Sequence, residues 1–121
     1  MTVAVWAGVV LLGGAGAVLR FLIDRAVARR VARLFPFGTL TVNLSGAVLL
    51  GLLSGLTLSH HVSLLAGTAF VGSYTTFSTW MLETQRLAEE RQIWPAVANI
   101  VVSVVLGVAA AVLGQWIAGR L

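Results

Sequence analysis

Four apolar runs, at about residues 3–19, 37–59, 62–82 and 94–118, fill most of the chain, and each is long enough to cross a bilayer as a helix. This pattern restricts the fold more than any other feature. The hydrocarbon core offers no water to a peptide group, so a crossing segment must satisfy its own backbone hydrogen bonds, which helices do. Only 10% of the 121 residues are charged. Soluble domains carry about 25%, and no soluble fold of this length could hide such an apolar excess. The pattern therefore predicts an all-α membrane protein, four transmembrane helices in a single domain over residues 1–121. The first run resembles a secretory leader only at Ala15-Gly16-Ala17. It lacks a basic leading region, and its arginines follow the apolar stretch, so it reads as a retained helix.

The connections are short. The net charge of +4 comes entirely from arginine, because the chain has no lysine. Residues 24–35 carry Arg25, Arg29, Arg30 and Arg33 between Ala, Val and Leu, up to Pro36. Two readings fit: an amphipathic continuation of the first helix along the interface, or a basic loop that sets orientation. Ser59-His60-His61 reads as a tight turn, and two adjacent histidines without further ligands do not make a metal site. The charged stretch 85–92 extends the third helix into water, and Pro95 falls in the first turn of the fourth, where its missing N–H costs nothing. With four spans both termini share one side. The arginine-rich connections share the other, which the positive-inside rule assigns to the cytoplasm.

Residues 72–83, G-S-Y-T-T-F-S-T-W-M-L-E, break the apolar character of the third run. Polar, breakable backbone at membrane depth survives only when it is buried in protein or lines a cavity, so this stretch reads as part of an ion or solute path. Gly72-Ser73 can release helical hydrogen bonds and leave carbonyls free for a cation. Ser73, Thr76 and Thr79 set hydroxyls along the next turns, with Glu83 one turn beyond Thr79 at the wet end. Phe77 and Trp80 are three residues apart and present ring edges, the positive rim of the aromatic quadrupole, which tolerate a small anion.

In the second run Thr39 and Asn43 share a helical face, followed by Gly46. An amide inside an apolar helix is either a functional group or a hydrogen-bonding tie to a neighbouring helix. In the fourth run Asn99, Ser103, Gly107, Ala111 and Gly114 form a stripe of small and polar residues. Such stripes let helices approach closely, and Asn99 and Ser103 exceed what close approach requires. The donors fix the sign of the solute: hydroxyl and amide groups can replace the hydration of a small, hard anion. No acid lies inside the spans to drive a proton-coupled pump, and no nucleophile–base pair or phosphate-binding loop supports an enzyme.

These residues resemble the CrcB/Fluc fluoride channels along nearly the whole chain. The most specific match is the run Thr75 to Trp80. Gly13-Gly14-Ala15-Gly16-Ala17 leading to Arg20-Phe21 is similar to the family's opening signature. Phe37-Gly38-Thr39-Leu40-Thr41-Val42-Asn43 with Gly46 is similar to its second motif, and the stretch from Asn99 to Gly107 to its fourth. The resemblance implies a passive, fluoride-selective channel that protects the cell from fluoride, built as an antiparallel dual-topology dimer with a broken third helix and two pores. It also implies a structural sodium ion at the dimer interface, held by the backbone carbonyls of Gly72 and Thr75. Asn43 becomes the pore amide, and Phe77 and Trp80 the aromatic pair beside the fluoride path. Thr39, Thr76, Thr79, Glu83, Asn99 and Ser103 fall along or near the polar track, with Arg20 near a vestibule.

Two features depart from the family pattern. Position 80 is usually phenylalanine, and Trp80 adds bulk and an N–H donor. The arginine bias also favours one orientation, whereas a dual-topology homodimer needs little preference. Either the arginines are read weakly during insertion, or the chain pairs with an oppositely biased paralogue as a heterodimer. Small multidrug exporters also have four short spans, but they carry an acid inside the first, and residues 1–19 have none. A non-transporting membrane scaffold would use the same polar run as interhelical glue.

Overall fold

The computed structural model describes residues 2–121, and every regular element among them is helical. Helix α1 (Val3–Arg30) starts at Thr2, whose hydroxyl accepts the Val5 amide at 3.3 Å. Its 28 residues give a rod of about 42 Å, longer than a hydrocarbon core of about 30 Å. Of the two readings of residues 24–35, the helical continuation is the one that forms, as far as Arg30. Arg29 and Arg30 occupy the last turn, where cations suit the negative end of the helix dipole. Helix α2 (Phe37–Gly55) follows Pro36. Helix α6 (Ile93–Ala118) carries Pro95 in its first turn, as the sequence predicts.

Three helices, α1, α2 and α6, are long and apolar enough to cross a membrane. The third predicted span, residues 62–82, is not one helix. It consists of α3 (His60–Ser63), a π-helical segment (Leu64–Val71), α4 (Gly72–Tyr74) and, after a gap, α5 (Ser78–Glu89). Ser59 opens the segment by accepting the Val62 amide at 3.3 Å. In the π-helical part the Gly72 amide reaches back five residues to the Gly67 carbonyl. The chain leaves the helix at Thr75, with φ −79° and ψ 160°. The expected weak point, Gly72-Ser73, stays helical, with the Ser73 hydroxyl folded back onto the carbonyls of Ala69 and Phe70, at 2.8 and 3.0 Å. The departure falls two residues later, where α2 supplies partners for the released backbone.

Glycines set how closely the helices approach. A Cβ on Gly51 of α2 would strike the Ala111 carbonyl of α6, and one on Gly114 would strike the Val48 carbonyl. The two backbones therefore touch, as small residues permit in lipid. Gly107 has open space around it and takes no part in that contact. Gly16 brings α1 onto Phe70, Ser73 and Tyr74, while Gly46 brings α2 onto Thr75. Both sides of the Thr75 gap are thus enclosed by neighbouring helices. Val42 and Tyr74 form the buried centre. Apolar side chains elsewhere on α1 and α6 are exposed, among them Leu11 at 72% and Val108 at 62%, a surface suited to lipid or a second copy.

Candidate functional site

A helix that stops inside a bundle leaves amides and carbonyls that need partners. Asn43, two turns into α2, meets both kinds at Thr76. Its Nδ2 donates to the Thr76 carbonyl at 2.9 Å, and its Oδ1 accepts the Thr76 amide at 2.8 Å. The Thr76 hydroxyl in turn accepts the Thr79 amide at 3.2 Å. In an unbroken helix those two amides would close onto the carbonyls of Gly72 and Thr75. Their diversion to side chains leaves the two predicted cation-binding oxygens without that helical bond. Another freed carbonyl, that of Ser73, accepts the Arg20 Nε at 3.2 Å, which ties α1 to the same gap.

The aromatic pair stands beside this clasp. Phe77 is 70% exposed, and its ring meets Trp80 edge-on, with centroids 5.7 Å apart and planes at 83°. The Trp80 indole N–H donates to the Asn99 carbonyl on α6 at 3.0 Å. Asn99, 1% exposed, turns its side-chain amide toward α5, where Nδ2 donates to the Thr84 hydroxyl at 2.8 Å. Asn99 thus braces Trp80 and α5 from behind. Ser103, half-buried one turn along α6, takes no part in these bonds.

Three cavities run past these groups. The first, about 340 Å³, is bordered by Asn43, Gly72, Thr75, Thr76, Phe77 and Trp80. The second, about 260 Å³, is bordered by Arg20, Asp24, Thr39, Thr76 and Thr79. The third, about 340 Å³, opens at the arginine-rich end among Asp24, Arg33, Gly38, Glu83, Arg86 and Glu90. Thr76 borders the first two and Asp24 the last two, so the series is continuous in its lining. Most of the predicted path residues therefore meet in this series, whereas Asn99 and Ser103 border none of these three.

Residues that the sequence pattern did not single out also belong here. Asp24 joins two cavities, Thr84 receives Asn99, and the Tyr74 hydroxyl pairs with Ser45 at 2.8 Å. Only the helical spacing of Asp24 from Arg20 could have pointed to the first of these. The Thr39 hydroxyl and Glu83 Oε1 are buried and have no hydrogen-bond partner among the described residues. Burial raises the Glu83 carboxyl above its usual range; the adjacent Thr39 hydroxyl opposes that shift, Asp24 adds to it and Arg86 opposes it. Chemically, the series combines hydroxyls, the guanidinium groups of Arg20, Arg33 and Arg86 and aromatic edges with the carboxylates of Asp24, Glu83 and Glu90.

The family described as CrcB-like protein, Camphor Resistance (CrcB), matches residues 7–115. The chain is 72% identical over 118 residues to Fluoride-specific ion channel FluC 2 of Mycobacterium tuberculosis, covering 98% of this chain and 94% of that protein. It is 73% identical over 117 residues to the FluC 2 protein of Mycolicibacterium paratuberculosis, covering 97% and 96%. A more distant relative, Fluoride-specific ion channel FluC 1 of Leifsonia xyli, is 40% identical over 123 residues, covering 98% and 90%.

Proposed function

The chain belongs to the CrcB/Fluc fluoride channel family, and from that premise we propose that it conducts fluoride passively across the cell membrane and so relieves fluoride toxicity. The observation that carries this reading is the clasp between Asn43 and Thr76, set in one cavity with the edge-on pair Phe77 and Trp80. Fluoride leaving water needs short, hard donors in its place. Thr39, Thr76 and Thr79 offer hydroxyls, and Phe77 and Trp80 offer positively polarised ring edges. Arg20 stands at a vestibule, Glu83 stands at its outer end, and Ser103 lies on α6 outside the three cavities. Asn99 acts on the path through Trp80, whose ring it orients.

The gap at Thr75 is the break in the third membrane span, and two copies of the chain pair across it in opposite orientations. The partner is a second copy of this chain or an oppositely biased paralogue. A sodium ion suits the carbonyls of Gly72 and Thr75, which are neutral oxygen donors whose helical amide partners are engaged by Asn43 and Thr76. One chain offers two such oxygens and a two-fold pair offers four. When bound, sodium supplies a positive charge that fixes the two breaks against each other. Passive conduction requires no catalytic group.

Expression in a bacterium that lacks its own fluoride exporter tests the physiological part. Growth should be restored on fluoride medium by the native chain and not by an Asn43→Ala variant expressed at the same level. Equal sensitivity with and without the native chain would contradict it.

A further inference from the structure

Asp24 is the one acidic residue of α1, and it borders both the outer cavity and the inner one. Its position is enforced by Gly38 at the start of α2. A Cβ on Gly38 would collide with the Asp24 carboxylate and its carbonyl, so the absent side chain makes room for the acid at the joint between the cavities. The inner cavity carries one fixed cation, Arg20, and one fixed anion, Asp24. It also carries the Thr39 hydroxyl, on a residue 2% exposed, which lies beside the Glu83 carboxylate. The charged groups facing Asp24 are Arg20 from its own helix, Glu83, Arg86 and Glu90 from α5, and Arg33 from the connection before α2. The first turn of α2 contributes Phe37, Gly38 and Thr39, all uncharged.

Without Asp24 the inner cavity would be a cationic chamber lined by threonine side chains, which would fill readily with anion. With it, the charges of Arg20 and Asp24 offset each other. We propose that Asp24 is a throughput-setting residue of the fluoride path: its carboxylate, at the joint of the two cavities, opposes Arg20 and restrains anion entry into the inner cavity. This inference rests on the fluoride-channel reading above. The residue touches the entry route and not the aromatic pair, so its effect falls on rate and leaves the choice between fluoride and chloride unchanged.

The experiment is fluoride current through the full-length protein in planar bilayers, where neutral hydrogen fluoride carries no charge and adds nothing to the signal. Asp24→Asn and Asp24→Ser both remove the charge. Each should raise the current at neutral pH and low salt by roughly three- to tenfold, the scale of one unit charge acting across a partly aqueous cavity. The excess should shrink when an impermeant salt brings the Debye length to about 8 Å, a response that a purely structural change would not produce. Current through the native chain should rise on acidification to about pH 4, as carboxylates take up protons, and the profile of Asp24→Asn should be flatter. Variants that fold and conduct no faster than the native chain would overturn the inference. If neither variant folds, a native current that is flat or falls with acid overturns it, and one that rises supports it. A native chain with no fluoride current would contradict the channel reading itself, and this inference with it.

Discussion

Asn43 holds Thr76 by both polar groups of its peptide, donating to the carbonyl at 2.9 Å and accepting from the amide at 2.8 Å. A side-chain amide paired in this way acts as a replacement peptide bond, restoring in the gap what the helix no longer provides. It also accounts for an amide in an apolar helix more fully than either role read from the sequence. The residue is a tie between helices, and the tie is what keeps the polar gap open.

Asn43→Ala should therefore damage structure and conduction together. Two hydrogen bonds are lost and a half-buried amide and carbonyl are stranded, which predicts a loss of about 1–3 kcal/mol. Thermal unfolding in detergent should show the destabilisation, and vesicle efflux should fall at least tenfold. A variant as stable as the native chain would contradict the clasp.

Trp80→Phe removes one N–H, the donor to the Asn99 carbonyl at 3.0 Å. The carbonyl lies within α6 and keeps its helical partner, so the expected cost is only about 1 kcal/mol. Discrimination against chloride should persist, because the ring edge beside Phe77 remains. The conduction rate should change as the smaller ring comes free of α6. Identical efflux from the two proteins would remove Trp80 from the rate-setting groups.

Gly114 and Gly107 lie on the same helix and make opposite predictions. Gly114→Ala sets a methyl group against the Val48 carbonyl and should cost about 2 kcal/mol or more. Gly107→Ala meets open space and should leave the stability of the chain within about 0.5 kcal/mol of native. Comparing the two melting curves tests the α2–α6 contact directly. If Gly107→Ala spares stability but reduces conduction, Gly107 faces the second copy.

The arginines at positions 25, 29, 30, 33, 86 and 91 share one end of the molecule, against Arg120 at the other. A homodimer of antiparallel copies nevertheless requires both orientations to be populated. Reporters active on only one side of the membrane, fused to the C terminus, should give comparable signals from both sides. A single orientation would favour pairing with an oppositely biased paralogue.

The membrane class, the long outer helices and the polar character of residues 72–83 were legible in the sequence, because apolar length and misplaced hydroxyls are local properties. The position of the interruption was not. Gly72-Ser73 has the composition of a break, yet Ser73 satisfies its own turn, and the chain departs at Thr75 because Asn43 waits 33 residues upstream to receive Thr76. That is a tertiary fact with no local signature. Asn99 was legible as more than a packing residue, but its role behind Trp80 depends on the distance between α5 and α6. Asp24 passed as one charge in a basic stretch, and only the bare backbone of Gly38 reveals where it stands. The glycine stripe of α6 was half legible: Gly114 packs against α2, whereas Gly107 on the same helix faces open space.

Passive fluoride conduction is open to a single test, efflux from liposomes. Purified protein is reconstituted into vesicles loaded with potassium fluoride, a potassium ionophore sets the potential, and an electrode follows fluoride in the bath. Release should be rapid, should need the ionophore to dissipate charge, and should not occur when chloride replaces fluoride. Release no faster than from protein-free vesicles would contradict the account.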